Sequence, residues 1–428
     1  MRNTQRRVRG LVAAVLAVTA IAVPAISALP ASAAVELSFW SWRTEDKAFY
    51  ESMAAKFTAA NPGITIKFTP YLNTDYNAIL STALTAGKGP DLLQLRAYGA
   101  GAGLSDAGYL LPLTTKDVPA LAKIPAGIVT GARGFENRSV FGLPYAVSAL
   151  GVMYNPKLLA KAGVRQLPTT WSSFLGVLNR VKGKGILPLG NGGGNGPALE
   201  QLWGAIGPTF YGGTDFYDDV VAGTKTFTDK NFVASLKAMK DISAYMPAGY
   251  EGLTYDAARA LFANEKAAFY IGGNYEIGYF KSLNKDLQLG WIPAPAAKQG
   301  AKKYVSSWAD GGYAINAKTA HKAEALKFLN FMASKTFGQA LLDQLAFIST
   351  TPRTVVKDSA VKAINKGIQQ FGTPYLMLVG FRYKTPTGSA ILQSGFQNLI
   401  VGKTTPEQLA KDVQAGIASW YKPQTGKS

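Results

Sequence analysis

After residue 34, apolar and polar positions follow a strand-helix-strand-helix-strand order. The run from Val35 has the pattern of a strand, and Thr44 is expected to cap the helix that follows it. The alternating stretch 63–70 predicts a second strand, 75–86 a helix, and 89–95 a turn into a third strand. Strands that alternate with helices favour an α/β fold in which a mostly parallel sheet is covered on both faces.

The stretch 141–156, FGLPYAVSALGVMYNP, places a corner, an apolar strand and a second turn directly after one another. Gly142 and Pro144 mark the first turn, and the residues at 145–153 are apolar and small enough for a buried strand. Asn155 with the following proline starts a helix. The pattern predicts a strand that crosses between two parts of the molecule.

Helices and buried strands continue in the second half of the chain. The spacing of apolar residues predicts helices at 171–181, 232–246 and 319–334 and a buried strand at 267–272. The glycine-rich loop at 188–197 lacks the Lys-Ser/Thr pair of a P-loop and does not carry GxGxxG after a strand, so it gives little support to nucleotide binding.

The length of 428 residues allows about two domains of ~100–200 residues each. The chain has no cysteine, which excludes disulfides, thiol catalysis and cysteine-ligated metals. It also excludes anchoring through a lipid-modified cysteine. No zinc-binding or other metal-ligand spacing occurs, and no cofactor is expected.

Residues 1–33 have the organisation of a cleaved export signal, with four arginines before the apolar run 11–28 and the small-x-small site 31–33. The run is long enough for a retained membrane anchor, which is the alternative. Pro24 and Ser27 interrupt it, however, and no basic stop-transfer segment follows. We expect cleavage and an extracytoplasmic location, secreted, in the cell envelope or in the periplasm.

The formal charge falls from +19 to +15 when the signal is removed, because four arginines and no acids leave with it. A basic surface can bind acidic ligands, nucleic acid or an anionic envelope polymer. The lysines are dispersed, however, and no nucleic-acid-binding motif is present. A solvated basic surface without a nucleic-acid partner is expected.

Ligands of open α/β sheets bind beyond the carboxyl ends of the strands. We expect seven side chains at this edge, and for Trp42 a purely structural role in the core is the alternative. They are Trp42, Thr44, Glu45, Arg96, Tyr98, Asn274 and Tyr275.

Several segments together resemble the extracellular solute-binding proteins of carbohydrate ABC importers, which are related to maltose-binding proteins. They occur in the family's order over nearly the whole chain after the signal. They are GPDLLQL with LSDAGYLLPL, GLPYAVSALGVMYN, LPTTWSSF, FANEKAAFYIGGNY, GGYAINAKTAHKAEALKFLNFMAS, residues 349–353 and VGKTTPEQLAKDVQ.

The resemblance implies a two-lobed periplasmic-binding-protein fold with crossing hinge strands and a cleft for the ligand. It places the N-terminal lobe at 34–143 and 294–350, and the C-terminal lobe at 144–293 and 351–428. It also implies a carbohydrate ligand, a membrane permease as partner and a monomeric protein.

Carried over from the family, the contacts with sugar fall on both lobes. Ser148 stands where maltose-binding proteins have an acidic residue, and Arg96 is basic, so the resemblance does not extend to maltodextrin specificity. Packing at the hinge is the alternative role for Tyr145, and a place in a helix core is the alternative for Trp203. The positions that the family implies are Trp42, Thr44, Glu45, Arg96, Tyr98, Tyr145, Ser148, Trp203, Tyr275, Trp308 and Asp310.

Two alternatives remain open. A secreted glycan-active enzyme needs two carboxylates that flank a bond, and Glu45 with Asp310 is the candidate pair. The single histidine, His321, lies among lysines at the start of a helix and is a poor triad base.

The second alternative keeps the fold and changes the ligand to an acidic saccharide, a polyol or a sugar phosphate. Four arginines would serve it, namely Arg43, Arg96, Arg353 and Arg382.

Overall fold

A computed structural model describes residues 34–352 and 354–427. The predicted export signal at 1–33, its cleavage site and Arg353 lie outside the described residues. No helix within the described ranges combines the length and the apolar character that a membrane crossing needs.

The described residues form ten β-strands, of which β4 and β8 are the longest. The strands are β1 (Val35–Ser41), β2 (Ile64–Pro70), β3 (Leu92–Arg96), β4 (Leu143–Tyr154), β5 (Leu187–Leu189), β6 (Ala267–Gly273), β7 (Gly290–Ile292), β8 (Val305–Ile315), β9 (Ile348–Ser349) and β10 (Gly372–Pro374).

Eighteen α-helices surround these strands within the described ranges. They are α1 (Lys47–Ala60), α2 (Tyr76–Thr85), α3 (Gly99–Asp106), α4 (Ala126–Val129), α5 (Pro156–Lys161), α6 (Trp171–Gly183), α7 (Gly196–Ile206), α8 (Pro208–Tyr211), α9 (Thr214–Ala222), α10 (Lys230–Ser243), α11 (Tyr255–Ala263), α12 (Glu276–Leu283), α13 (Lys322–Met332), α14 (Lys335–Leu345), α15 (Ser359–Phe371), α16 (Leu376–Gly380), α17 (Gly388–Ile400) and α18 (Pro406–Ala418).

The strands pair in the order β2-β1-β3-β8-β4-β6-β5. The expected α/β order is confirmed, but the sheet is mixed rather than mostly parallel. β1 pairs in parallel with β2 and β3, and β5 with β6, whereas β8 runs antiparallel to β3 and β4. The two long strands β4 and β8 run in opposite directions at the centre of the sheet, and they bring antiparallel pairs between the parallel ones.

β4 is the predicted crossing strand, and the pairing confirms it. Its residues 143–149 pair with β8, and its residues 150–154 pair with β6. β8 is shared in the same way, since 311–315 pair with β3 and 305–307 with β10. We call β1, β2 and β3 with the end of β8 the first sheet section, and β5, β6 and β7 with the end of β4 the second sheet section.

Each sheet section has its own apolar core. Phe39 of β1, Tyr50 of α1 and Phe328 of α13 are buried together in the first. Leu178 of α6 and Phe232 of α10 are buried together in the second. Two cores on either side of the shared strands agree with a molecule of two lobes. The residues at which one lobe ends and the other begins stay a prediction.

The start of α1 differs from the expectation that Thr44 caps it. Thr44–Asp46 instead form a short 3-10 turn, and α1 begins at Lys47 with Asp46 in the capping position. The side chain of Asp46 does not cap the helix because the buried Arg43 guanidinium binds its carboxylate. The expected cap of α6 is present, since Thr170 Oγ1 accepts a hydrogen bond from the Ser173 amide.

Candidate functional site

A cavity of about 340 Å³ lies beyond the carboxyl ends of β1 and β3, between the two sheet sections. Its volume is at the lower end of the range of about 300–1,000 Å³ that is usual for small-molecule pockets. Six of the side chains that the sequence predicts for the site line this cavity. They are Trp42, Glu45, Arg96, Tyr275, Trp308 and Asp310.

Trp42 and Arg96 form one wall of the cavity. The guanidinium carbon of Arg96 lies 4.5 Å from the centre of the Trp42 ring. Its Nη2 donates to Asn73 Oδ1 at 2.9 Å, and its Nε donates to Asn77 Oδ1 at 3.3 Å. Burial lowers the pKa of Arg96, but a guanidinium remains protonated at neutral pH. The wall therefore presents a fixed cation held by neutral amides.

The Asp310 carboxylate is held in place by Tyr145 of β4. The Tyr145 hydroxyl donates to Asp310 Oδ2 at 2.6 Å, and its ring stacks on Tyr313 with centroids 4.9 Å apart. Burial, and next the negative charge of Asp310, raise the pKa of Tyr145 well above its ordinary value. Tyr145 therefore stays protonated and works as a donor that positions Asp310, without lining the cavity itself.

Glu45 lies between two arginines that come from different parts of the chain. Its Oε1 is 3.6 Å from Arg43 Nη2 and 3.9 Å from Arg259 Nη1. Arg43 also binds Asp46. Burial lowers the pKa of Arg43, but the carboxylates of Asp46 and Glu45 outweigh this effect and leave the pKa above its ordinary value. Glu45 thus connects the end of β1 with α11.

Arg259 of α11 is the centre of a buried charge network behind the cavity. Its Nη1 is 3.2 Å from Glu276 Oε2, and its Nη2 is 2.8 Å from Asp256 Oδ1. Glu276 has no exposed surface and also accepts a hydrogen bond from the Tyr255 hydroxyl. Burial raises the pKa of Glu276, and the charge of Arg259 opposes that rise. The network fixes Tyr255, whose side chain lines the cavity.

Arg382 enters the cavity from the loop between α16 and α17. Its Nη2 is 2.9 Å from Glu200 Oε2, and Glu200 of α7 is fully buried. Ser389 Oγ and Gln393 Nε2 donate to the same carboxylate at 2.6 Å each. The Glu200 carboxylate thus binds one cation and two neutral donors. Its negative charge compensates the positive charge of Arg382 beside the cavity.

Three aromatic rings of the lining pack side by side. The Tyr275 and Trp308 centroids are 6.4 Å apart at 69°, and Trp308 lies 5.0 Å from Tyr375 at 46°. Tyr275 follows β6, Trp308 belongs to β8, and Tyr375 follows β10. The rings therefore converge from three separate segments on one side of the cavity.

The other predicted site residues do not line the cavity. Thr44 is exposed at the turn before α1, and Ser148 is buried in β4. Tyr98 is buried, and its hydroxyl accepts from the Ala309 amide at 3.3 Å. Asn274 is buried, and its Oδ1 accepts from the backbone amide of the residue after Ser148 at 2.9 Å. Asn274 thus ties the end of β6 to the crossing strand.

Trp203 requires a correction, because it was expected to offer its ring to a ligand. Its side chain has no exposed surface and packs against Phe232 and Phe396 in the second core. Its indole N–H already donates to Ser235 Oγ at 3.0 Å. The apolar face of α7 points into the core, and Trp203 lies on that face.

Several lining residues were not singled out from the sequence. Tyr375 follows a strand of three residues, which is too short to produce a recognisable pattern. Asn73 follows β2, so the strand-end rule applied there finds it, whereas Asn77 lies in the first turn of α2. Residues 34–352 and 354–427 bring together no group of three His, Asp or Glu side chains that could hold a metal ion.

A family model described as bacterial extracellular solute-binding protein matches residues 40–338. An uncharacterised ABC transporter extracellular-binding protein of Pyrococcus horikoshii is 25% identical over 308 residues, which is 70% of this chain and 68% of that protein. A multiple sugar-binding protein of Streptococcus mutans is 23% identical over 316 residues, which is 72% of this chain and 73% of that protein.

Among solved structures, a solute-binding protein in complex with raffinose superimposes with a TM-score of 0.75 at 19% identity. The superposition covers 92% of this chain and 100% of that chain. At this identity the likeness shows the fold. The two-lobed α/β fold expected from the sequence is confirmed.

Proposed function

The chain belongs to the bacterial extracellular solute-binding protein family, and from this we propose that it captures a sugar or oligosaccharide between two lobes and delivers it to an ABC transporter permease. The ligand contacts both lobes and favours the closed arrangement by binding it more tightly than the open one. The relative from Streptococcus mutans named for multiple sugars and the structure with bound raffinose support this ligand class.

The observation that carries the proposal is the combination of lining groups in the cavity. Tyr275, Trp308 and Tyr375 offer apolar ring surfaces, while Asp310 and Arg96 offer fixed hydrogen-bonding groups. A pyranose has apolar C–H faces and a polar hydroxyl rim, so it needs both kinds of group at once. We propose these five residues, with Trp42 and Glu45, as the ligand-binding set.

The compensation of charge favours a neutral sugar over an acidic one. Arg43 is paired with Asp46, Arg382 with Glu200, and Arg259 with Glu276. Arg96, whose hydrogen bonds go to neutral asparagines, shares the cavity with the Asp310 carboxylate. An anionic ligand would have to compete with these carboxylates for each cation. We therefore propose a neutral sugar as the ligand and keep an acidic saccharide as the second candidate.

We propose a binding role without turnover for the cavity carboxylates. Glu45 lies between two arginines, and Asp310 accepts a hydrogen bond from the Tyr145 hydroxyl, so the fold already gives both carboxylates structural partners. We also propose that the exported protein acts as an extracytoplasmic monomer. Chromatography of oligosaccharides after incubation with the protein tests the catalytic alternative, since any cleavage product contradicts a pure binder.

The decisive experiment is a thermal-shift and calorimetric screen of the mature protein against neutral mono- and oligosaccharides. A bound sugar raises the apparent stability by mass action. Trp42→Ala and Tyr275→Ala should weaken binding of the best ligand by at least about tenfold while the circular dichroism spectrum is retained. Trp420→Ala, which removes a partly buried ring outside the cavity lining, is the matched control.

Two results would contradict the proposal. If no sugar of the panel binds, sugar capture is wrong. If both cavity variants bind like the parent, the site is wrong while the ligand class stands.

A further inference from the structure

One edge of the cavity is closed by the loop between α16 and α17, which contacts the start of α3 and the segment between α4 and β4. The backbones meet at Gly99, where a Cβ atom would lie 2.0 Å from the Arg382 carbonyl oxygen. Beside this contact, Phe135 stacks on Tyr383 with centroids 4.6 Å apart and ring planes at 26°. The Arg382 side chain lines the cavity, so this barrier stands at its edge.

Both partners of the stack are held by their own surroundings. The Asp106 carboxylate accepts hydrogen bonds from the backbone amides of Phe135, Glu136 and Asn137 at 3.0–3.1 Å. On the other side, Arg382 is anchored to the buried Glu200. Both rings of the stack therefore belong to segments that are held in place. A ligand that extends past this edge must push the two rings apart.

A second contact closes the cavity elsewhere. Glu45 Oε1 reaches Arg259 Nη1 across 3.9 Å, and Arg259 is fixed by Glu276. Arg43, two residues before Glu45, lies over the Phe347 ring of the first core, whereas Phe135 packs on the cluster that contains α2 residues. The two contacts are therefore separate, and each contributes a lining residue of the cavity, Glu45 in one case and Arg382 in the other.

We propose that these two contacts act as length stops, so that the cavity accepts one or two sugar units and excludes longer chains. The inference rests on the proposed sugar-binding function. The cavity volume of about 340 Å³ agrees with a short ligand. The Phe135–Tyr383 stack is the stop that a variant can open, because both rings are only partly buried and their loss leaves the buried charge network intact.

The test measures affinity against chain length. Calorimetric titrations use glucose to maltotetraose, xylose to xylotetraose and N-acetylglucosamine to chitotetraose with the parent, Phe135→Ala and Tyr383→Ala. In the series that binds, the parent should bind the disaccharide at least about tenfold more tightly than the trisaccharide. In either variant this gap should narrow to less than about threefold.

Phe331→Ala is the matched control, since it removes one ring of another stacked pair, 6.2 Å from Phe328, outside the cavity lining. It should keep the length dependence of the parent. A parent protein that binds tri- and tetrasaccharides as tightly as the disaccharide overturns the length stop, as do stack variants whose length dependence is unchanged. Absence of binding in all three series and in the screen of neutral sugars overturns sugar capture and the length stop together.

Discussion

Arg259→Met removes the cation from the buried network behind the cavity while it keeps most of the side-chain volume. Glu276, which has no exposed surface, then retains the Tyr255 hydroxyl as a donor but loses the guanidinium 3.2 Å away. Removal of one partner from a buried ion pair costs about 3–5 kcal/mol, because the remaining charge is left uncompensated. We expect a loss of stability of this size at pH 8.

The loss should depend on pH, and its direction follows from the pKa of Glu276. Burial already raises this pKa, and the variant loses the charge that opposes the rise. Above the unfolded value of about 4.3, the folded variant binds a proton that the unfolded chain releases, so its stability falls as the pH rises. At pH 5 the loss should shrink to about 1 kcal/mol.

Urea unfolding followed by tryptophan fluorescence at pH 5 and pH 8 measures this difference. Arg259→Met combined with Glu276→Gln should recover most of the stability at pH 8, because position 276 then carries no uncompensated charge. Lys237→Met is the control: it breaks an exposed ion pair with Asp241 at 2.9 Å and should change stability by less than about 1 kcal/mol at either pH. An equal loss at both pH values, or no recovery in the double variant, would refute the reasoning.

Three further changes test other parts of the structure. Tyr145→Phe removes the donor that holds Asp310, so calorimetry should show about tenfold weaker binding of the best sugar, and unchanged affinity would remove Asp310 from the site. Gly151→Ala would place a Cβ 2.4 Å from the Trp291 ring, so thermal unfolding should show a loss of stability of about 1–3 kcal/mol. An unchanged stability would show that the crossing strand can shift to make room for the methyl group. Affinity for a neutral sugar should change less than about twofold between about 50 and 500 mM NaCl, whereas a steep fall would favour an acidic ligand.

The sequence predicts the fold well where strands are long and local patterns decide. A Gly-Pro corner, an apolar run and an Asn-Pro helix start together predict a strand, and the structure has β4 from Leu143 to Tyr154. The sequence does not predict whether neighbouring strands run parallel or antiparallel. β8 pairs with β3 over more than 200 residues of separation, and no local pattern states that this pairing is antiparallel.

The candidate site was predictable in part for the same reason. Trp42, Arg96 and Tyr275 lie at strand ends, and the cavity contains all three. Tyr375 comes from a segment whose strand spans only Gly372–Pro374, and it reaches the cavity through the tertiary fold alone. Trp203 is a residue that the sequence places at the site and the structure places in the core. It lies on the apolar side of α7, and that side is buried.

The proposed length stops also bear on how tightly the protein binds its ligand. Contacts that join the two lobes stabilise the closed state with or without a ligand, and apparent affinity rises with the closed fraction. The exposed pair of Lys384 and Glu136 at 3.4 Å contributes at most about 1 kcal/mol. The Phe135–Tyr383 stack adds about 0.5–1.5 kcal/mol.

Together these contacts shift the open-closed ratio by up to about 60-fold, since each 1.4 kcal/mol is a factor of ten. Phe135→Ala should therefore weaken binding of the shortest sugars while it admits longer ones. A residue that only contacted the ligand would lose affinity for all lengths alike. The opposite response of short and long sugars is thus the signature that separates a stop between lobes from an ordinary binding residue.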